Sequence, residues 1–171
     1  LRILTPSAQA VVRGTQFRVG VDAEATREET LDGAVELQAA GLGVRVDAGQ
    51  GSLARKGRPP LPPVPLLHAP DVSALPSRFG RLPLVFPLPS QPGAASWFGQ
   101  VLAADDPEHV LLQKSVAGAN LSFADLPNGR YVLRLRAVDA NGLQGFDATH
   151  AFTVFARPFF PLLTAPVADA T

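Results

Sequence analysis

Apolar and polar residues alternate with a period of two through most of this chain, the spacing of strands that bury one face. From Thr15 to Asp22, Phe17, Val19 and Val21 share one side, while Gln16, Arg18, Gly20 and Asp22 share the other. Gly14, placed where the apolar run Ala10–Val12 meets this segment, predicts a kink, a bulge or a close backbone approach. A polar loop over Glu24–Glu29 leads into Leu31-Asp32-Gly33-Ala34, where Asp-Gly predicts a tight hairpin turn. Val35 and Leu37 then alternate with Glu36 and Gln38, and Val44 and Val46 with Arg45 and Asp47. Ala48–Gly51 breaks that strand, and Ser52–Arg55 completes the unit. Short alternating strands separated by glycine turns predict an antiparallel meander over residues 1–56.

The pattern changes at Pro59, Pro60, Pro62, Pro63 and Pro65. Prolines donate no ladder hydrogen bonds and favour the extended polyproline II conformation, so residues 57–65 read as a semi-rigid linker and a domain boundary. Alternation resumes after Leu66. Leu82, Leu84 and Phe86 point inward on one predicted strand, and Trp97 with Val101 on the next. Asp105–His109 predicts a turn, Val110–Val116 and Leu121–Phe123 further strands. The clearest strand is Tyr131–Asp139, with Tyr131, Leu133, Leu135 and Ala137 inward and Arg134 and Arg136 toward water. Asn141-Gly142 turns the chain, and Ala151–Phe155 closes the set. About seven short strands with turns between them predict a β-sandwich over residues 66–156.

Two resemblances follow from these residues. Thr5-Pro6-x-Ala8-x-Ala10-x-Val12-Arg13-Gly14-Thr15-x-Phe17 resembles the signature of FecR-type periplasmic domains, and Leu31-Asp32-Gly33-x-Val35-Glu36 and Ala48-Gly49-Gln50-Gly51 extend it. Arg13, Gly14, Thr15 and Phe17 are then structural signature residues. FecR-type domains begin upstream of that signature, so the resemblance covers the C-terminal half of one, and the chain reads as a piece of a longer protein. A half-domain of this size buries little apolar surface, which predicts open strand edges and self-association through them. Leu126-Pro-Asn-Gly-Arg-Tyr131 and the strand after it resemble fibronectin type III modules. Phe86 takes the place of that family's core tryptophan, and Trp97 that of the aromatic opening the next strand. Leu126, Tyr131, Leu133 and Leu135 complete the expected core. The family's crossing is one residue longer, which leaves a tyrosine corner at Tyr131 open while keeping the sandwich. Residues 157–171 repeat the Pro-flanked Leu-Leu and Ala-Pro pattern of residues 63–70, as the start of a truncated further module or as a tail.

Composition narrows the function classes. Fifteen basic and fifteen acidic residues cancel, which leaves no electrostatic footprint for nucleic acid. All the basic residues except Lys56 and Lys114 are arginines, a bias that with the abundant alanine suggests a bacterial source. There is no cysteine, hence no disulfide and no thiolate chemistry. No run approaches the eighteen apolar residues of a membrane span, so this segment is not expected to insert. His68, His109 and His150 lie far apart in sequence, without the i, i+4 spacing of a metal site. Asp22, Glu24, Glu28 and Glu29 lack the oxygen spacing and turn glycine of a calcium loop and read as a solvated face. Asp105, Asp106 and Glu108 read as turn chemistry, and Gly41-Leu42-Gly43 lacks the third glycine of a phosphate loop.

The expectation is therefore an all-β chain: a short antiparallel meander (a partial FecR-type domain), a Pro-rich linker and a seven-stranded immunoglobulin-like or fibronectin type III-like sandwich. It needs no cofactor and no metal, and it has no catalytic centre. The resemblances imply a non-catalytic scaffold or interaction fragment of the bacterial periplasm whose partner is a protein or a cell-wall component. One alternative is the sensing part of a FecR-like sigma-factor regulator in iron-uptake signalling. Another is a carbohydrate-binding sandwich stacking sugars on Trp97 and Phe98.

Overall fold

The computed structural model describes residues 2–157, and of residues 12–15 the backbone alone. The expected module start at 157–171 lies outside the described residues except for Arg157. Among the described residues the chain is all-β. Its first half comprises β1 (Arg2–Leu4), β2 (Gln9–Val21), β3 (Ala25–Ala39), β4 (Leu42–Asp47) and β5 (Gln50–Arg55). β2 and β3 form a long hairpin, and β3 pairs with β5 through Ala25–Thr30 and with β4 through Ala34–Ala39.

The hairpin turn predicted at Leu31–Ala34 is not a turn. It lies inside β3, where Gly33 takes a φ of +77°, a conformation open to glycine without strain. The reason is that the neighbouring strands break step at the same level. β2 shifts register between Arg13 and Phe17, and the chain passes from β4 to β5 through Gly49, also at positive φ. The sheet therefore bends about a common line, and its two halves close on Ala10, Val35, Leu37, Ala39, Val46 and Ala54. The bend at the Arg13–Phe17 step agrees with the bulge predicted at Gly14; the side chains of Arg13, Gly14 and Thr15 lie outside the described residues.

The proline tract does not hold two bodies apart. It returns along β5: Leu61 N donates to Leu53 O at 2.9 Å, Ser52 Oγ donates to Leu61 O at 2.7 Å, and β6 (Val64–Pro65) pairs with Gln50 and Gly51. An extended chain needs no donors of its own to lie beside a strand that still has donors and acceptors to fill. Leu66 N then donates to Gly49 O at 2.8 Å.

Seven strands follow: β7 (Arg78–Phe79), β8 (Leu84–Pro87), β9 (Ser96–Ala103), β10 (Asp106–Val116), β11 (Asn120–Phe123), β12 (Gly129–Val138) and β13 (Ala148–Val154). One sheet has the order β10-β9-β12-β13-β7, the other pairs β11 with β8. Their inner faces meet in a cluster that contains Phe86, Trp97, Leu126, Tyr131, Leu133 and Leu135. Four phenylalanines pack edge to face there. Phe86 lies 4.9 Å from Phe79, 5.1 Å from Phe152 and 6.5 Å from Phe123 between ring centres. Tyr131 Oη donates to Pro127 O at 3.0 Å, so the shortened crossing still forms a tyrosine corner. The segment predicted as a turn, Asp105–His109, is largely the opening of β10, which reaches back to Asp106.

Candidate functional site: the seam between meander and sandwich

The place where side chains of different elements converge is the seam between the two halves. Its sandwich side is the loop between β12 and β13, shaped by Asp139. Asp139 Oδ1 accepts from Asn141 N at 2.8 Å and from Leu143 N at 2.9 Å, and Gly142 turns at a φ of +80°. That turn exposes the carbonyls of Asn141, Gln144 and Gly145. Arg18 of β2 takes two of them, donating through Nη2 to Gln144 O at 2.8 Å and Gly145 O at 2.7 Å. Arg27 of β3 takes the third, donating through Nε to Asn141 O at 2.9 Å.

Carboxylates tie the same groups together. Arg18 Nε lies 3.2 Å from Glu29 Oε2, an ion pair by distance whose N–H is not aligned as a hydrogen bond. Glu29 Oε1 accepts from Gln144 N at 2.9 Å. Asp147 meets three guanidiniums: Arg18 at 3.3 Å, Arg134 at 3.8 Å and Arg136 in a bidentate contact. Arg136 also donates through Nη1 to Gln144 Oε1 at 2.8 Å. Burial raises the pKa of Glu29 against the pull of Gln144 N and Arg18, and burial lowers that of Arg18 against the pull of Glu29. Glu29 is nearly withdrawn from water and Arg18 mostly so, and each charge is supported by the other. Apolar contact continues the seam: Leu66 and Leu143 close over Gly51, and Phe146 N donates to Leu67 O at 2.9 Å.

Above these contacts lies an open cleft of about 460 Å³ walled by β2, β3, β9, β12 and the β12–β13 loop. Arg18, Arg27 and Arg136 line it beside Glu29, and Val19, Val21 and Phe98 supply apolar wall. Arg136 lies over the Phe98 ring at 5.7 Å from its centre. A second concavity, of about 710 Å³, follows the meander at Gly33–Glu36 and Gly43–Arg45, and among the described residues its charged lining is Glu36 and Arg45.

Several of these residues depart from what the sequence pattern predicts. Arg18 falls on the face of β2 expected to meet water and is instead mostly covered, whereas Val21, expected inward, is 50% exposed. Phe17 is half-buried against the meander core. Glu28 and Glu29, expected in a solvated loop, lie in β3 at 0% and 4% exposure; Asp22 and Glu24 are exposed. The cause is that β3 is covered on both faces, by the sandwich loop on one and by the folded-back meander on the other. Glu28 points into the meander with Thr26, Thr30 and Ser52, all buried. Thr30 Oγ1 lies 2.8 Å from Glu28 Oε1 and 3.3 Å from Val46 O, and Glu28 Oε2 has no partner. A hydroxyl has one proton, so a neutral Glu28 that donates to Thr30 Oγ1 frees Thr30 to donate to Val46 O. Burial first, and then the charge of Glu29, push this carboxyl up to about 7.

Trp97 is 6% exposed and faces the core, so it offers no stacking surface; Phe98 alone reaches the cleft. The three histidines stay apart. The His150 ring meets Pro76 O at 3.2 Å, His109 sits 4.0 Å from Asp106 on exposed β10, and His68 accepts from Gln91 through its carbonyl. Among the described residues no group of three metal-ligating side chains forms, and no helix is long and apolar enough to cross a membrane.

No protein-family model matches the chain. A comparison with curated proteins finds no match either. Among solved structures, the chain is similar to the extracellular domain of BT4673 from B. thetaiotaomicron, described as a hybrid two-component system, at 8% identity and a TM-score of 0.35. A second structure of that extracellular domain, described as a one-component system, matches at 10% identity and a TM-score of 0.33. These matches cover 90% and 95% of this chain and 29% of theirs, so the chain spans less than a third of either structure. A likeness this distant carries no ligand, partner or location over to this chain.

Proposed function

We infer that this chain is a non-catalytic interaction module of the bacterial cell envelope, working in the periplasm and binding a protein or a cell-wall component. The observation that carries the reading is the seam. Two unlike β units are joined by buried charges and backbone hydrogen bonds, and an open cleft lies along the joint, so the pair presents one continuous surface. The FecR-type and fibronectin type III-like resemblances support the compartment and the class. The scattered histidines and the engagement of the seam carboxylates with arginines support binding over catalysis, because no side chain there is left poised as a base beside a nucleophile.

The sensing reading keeps one observation in its favour: ion pairs and backbone hydrogen bonds cross the seam, so a displacement of one unit would be felt by the other. Co-sedimentation separates the two. The purified chain is expected to pellet with isolated cell-wall sacculi or to retain an envelope protein from solubilised membranes. Partition into the supernatant in both assays, or a fused reporter that is active only in the cytoplasm of cells carrying the full-length protein, would overturn the envelope reading.

A further inference from the structure

The geometry points to the seam cleft as a binding site for a single carboxylate joined to a small apolar body, the chemistry of the last residue of a peptide. Charge sets the first half of that statement. Among the described residues Arg18, Arg27 and Arg136, which line the cleft, pair with Glu29, Asp22 and Asp147, and Arg134, outside the lining, also reaches Asp147 at 3.8 Å, so the cluster as a whole carries one positive charge in excess. Within that cluster Arg18, Arg27 and Arg136 line the cleft beside Glu29, and their pairs to Asp22 and Asp147 bring the lining itself close to neutral. Guanidiniums crowded on one another gain from an added anion, and a planar carboxylate matches their paired donors. A doubly charged group such as phosphate would meet Glu29 and Asp147 with one charge too many.

Shape and polarity set the second half. Arg27 spends Nε on Asn141 O and Nη1 on Asp22, so its Nη2 is the donor at hand. Next to it, Val19, Val21 and Phe98 form an apolar wall, and half-exposed Val21 has no other evident reason to lie beside three arginines. An anion with an apolar side group satisfies both parts, whereas a free inorganic ion satisfies one. This inference stands on the cleft itself and extends the envelope reading by naming what is recognised. A peptide end can come from a protein tail or from a cell-wall stem peptide, and the two differ in the chirality of the last residue.

The test uses the whole chain and N-acetyl-Ala-Ala in its L,L and D,D forms, each with a free carboxylate and as the C-terminal amide, followed by ¹⁵N NMR titration. The free acids are expected to shift amides of Val19–Val21, Phe98 and Gly142–Gln144 saturably, with the amides about tenfold weaker. Raising salt from about 50 to 500 mM should weaken binding, and Arg27→Gln should weaken it about fivefold or more. Arg45→Gln, far from the cleft, should leave it unchanged. Preference for L,L identifies a protein tail, and preference for D,D a wall peptide. Equal response to acid and amide, shifts elsewhere on the chain, or full binding by a folded Arg27→Gln variant would overturn the site. If Arg27→Gln does not fold, the amide and salt arms still decide. Sacculus binding that survives loss of dipeptide binding would sink this site and leave the envelope reading intact.

Discussion

The sandwich closes on Phe79, Phe86, Phe123, Phe152 and Trp97, whereas the meander closes on alanines, valines and one leucine, with a carboxyl and several hydroxyls among them. Large rings bury much apolar area per ordered residue and lock one another in place. Small side chains bury little, and Glu28 inside them carries a desolvation cost. The sandwich has the larger apolar core of the two. The meander is held by what is clamped to it: the proline strand on β5 and the sandwich loop on Arg18, Arg27 and Glu29. A weak core thus goes together with a strong seam, which is how a bent half-sheet becomes a fixed part of a larger body.

The hardest blow to this contrast is Phe86→Ala. It should cost about 3–5 kcal/mol and unfold both units in one transition, because the meander loses its support. Denaturant unfolding followed by tryptophan fluorescence and far-ultraviolet dichroism checks this, and a meander transition that survives would show independence. Arg18→Ala removes the cation paired with buried Glu29, leaving only the more distant Arg136, and should cost about 3 kcal/mol. Its signature is a split: the sandwich signal from Trp97 keeps its midpoint while the remaining strand signal melts earlier. Coincident transitions would mean that the seam is not what holds the meander.

Glu28 sharpens the comparison through pH. The folded carboxyl keeps its proton up to about 7, whereas the unfolded chain releases it near 4.5. Between those values the unfolded state binds fewer protons, so stability is full below about 4.5, falls as pH rises and levels off above about 7. The loss is about 3 kcal/mol over the window. Glu28→Gln should flatten that slope, which thermal melts at pH 4, 6 and 8 would show; an unaltered slope would assign the effect elsewhere. The smallest effect belongs to the sandwich. Tyr131→Phe removes the bond to Pro127 O and should cost about 1 kcal/mol, and a neutral result would mean the corner bond adds nothing.

Legibility in the sequence follows the same division. The sandwich strands could be read because one face of each is apolar and the other polar, as in Tyr131, Leu133, Leu135 against Arg134 and Arg136. Its closed core came with them. In the meander it holds for Val35, Leu37 and Val46, which are buried as expected, and misleads over the first half of β3. β3 is covered on both sides, so Glu28 and Glu29 look like solvent residues in the one-dimensional pattern. The Asp32-Gly33 pair, a turn signal by itself, becomes a bend once two neighbouring strands break step beside it. The seam was illegible for a different reason: Arg18 and Asp147 are 129 residues apart, and no local spacing announces that they meet. One clue was present, since two adjacent glutamates between strand-forming threonines at Thr26 and Thr30 are unusual for a loop.

The way the prolines lie along β5 has a further consequence for how this sheet ends. From Pro59 to Pro65 only Leu61 and Val64 possess a backbone N–H, and that of Leu61 is already given to Leu53. A stray chain that tried to zip onto this border would find acceptors but almost no donors. The border is hemmed, and covalent structure alone disfavours growth of the sheet from that side, with no need for charge to repel the newcomer.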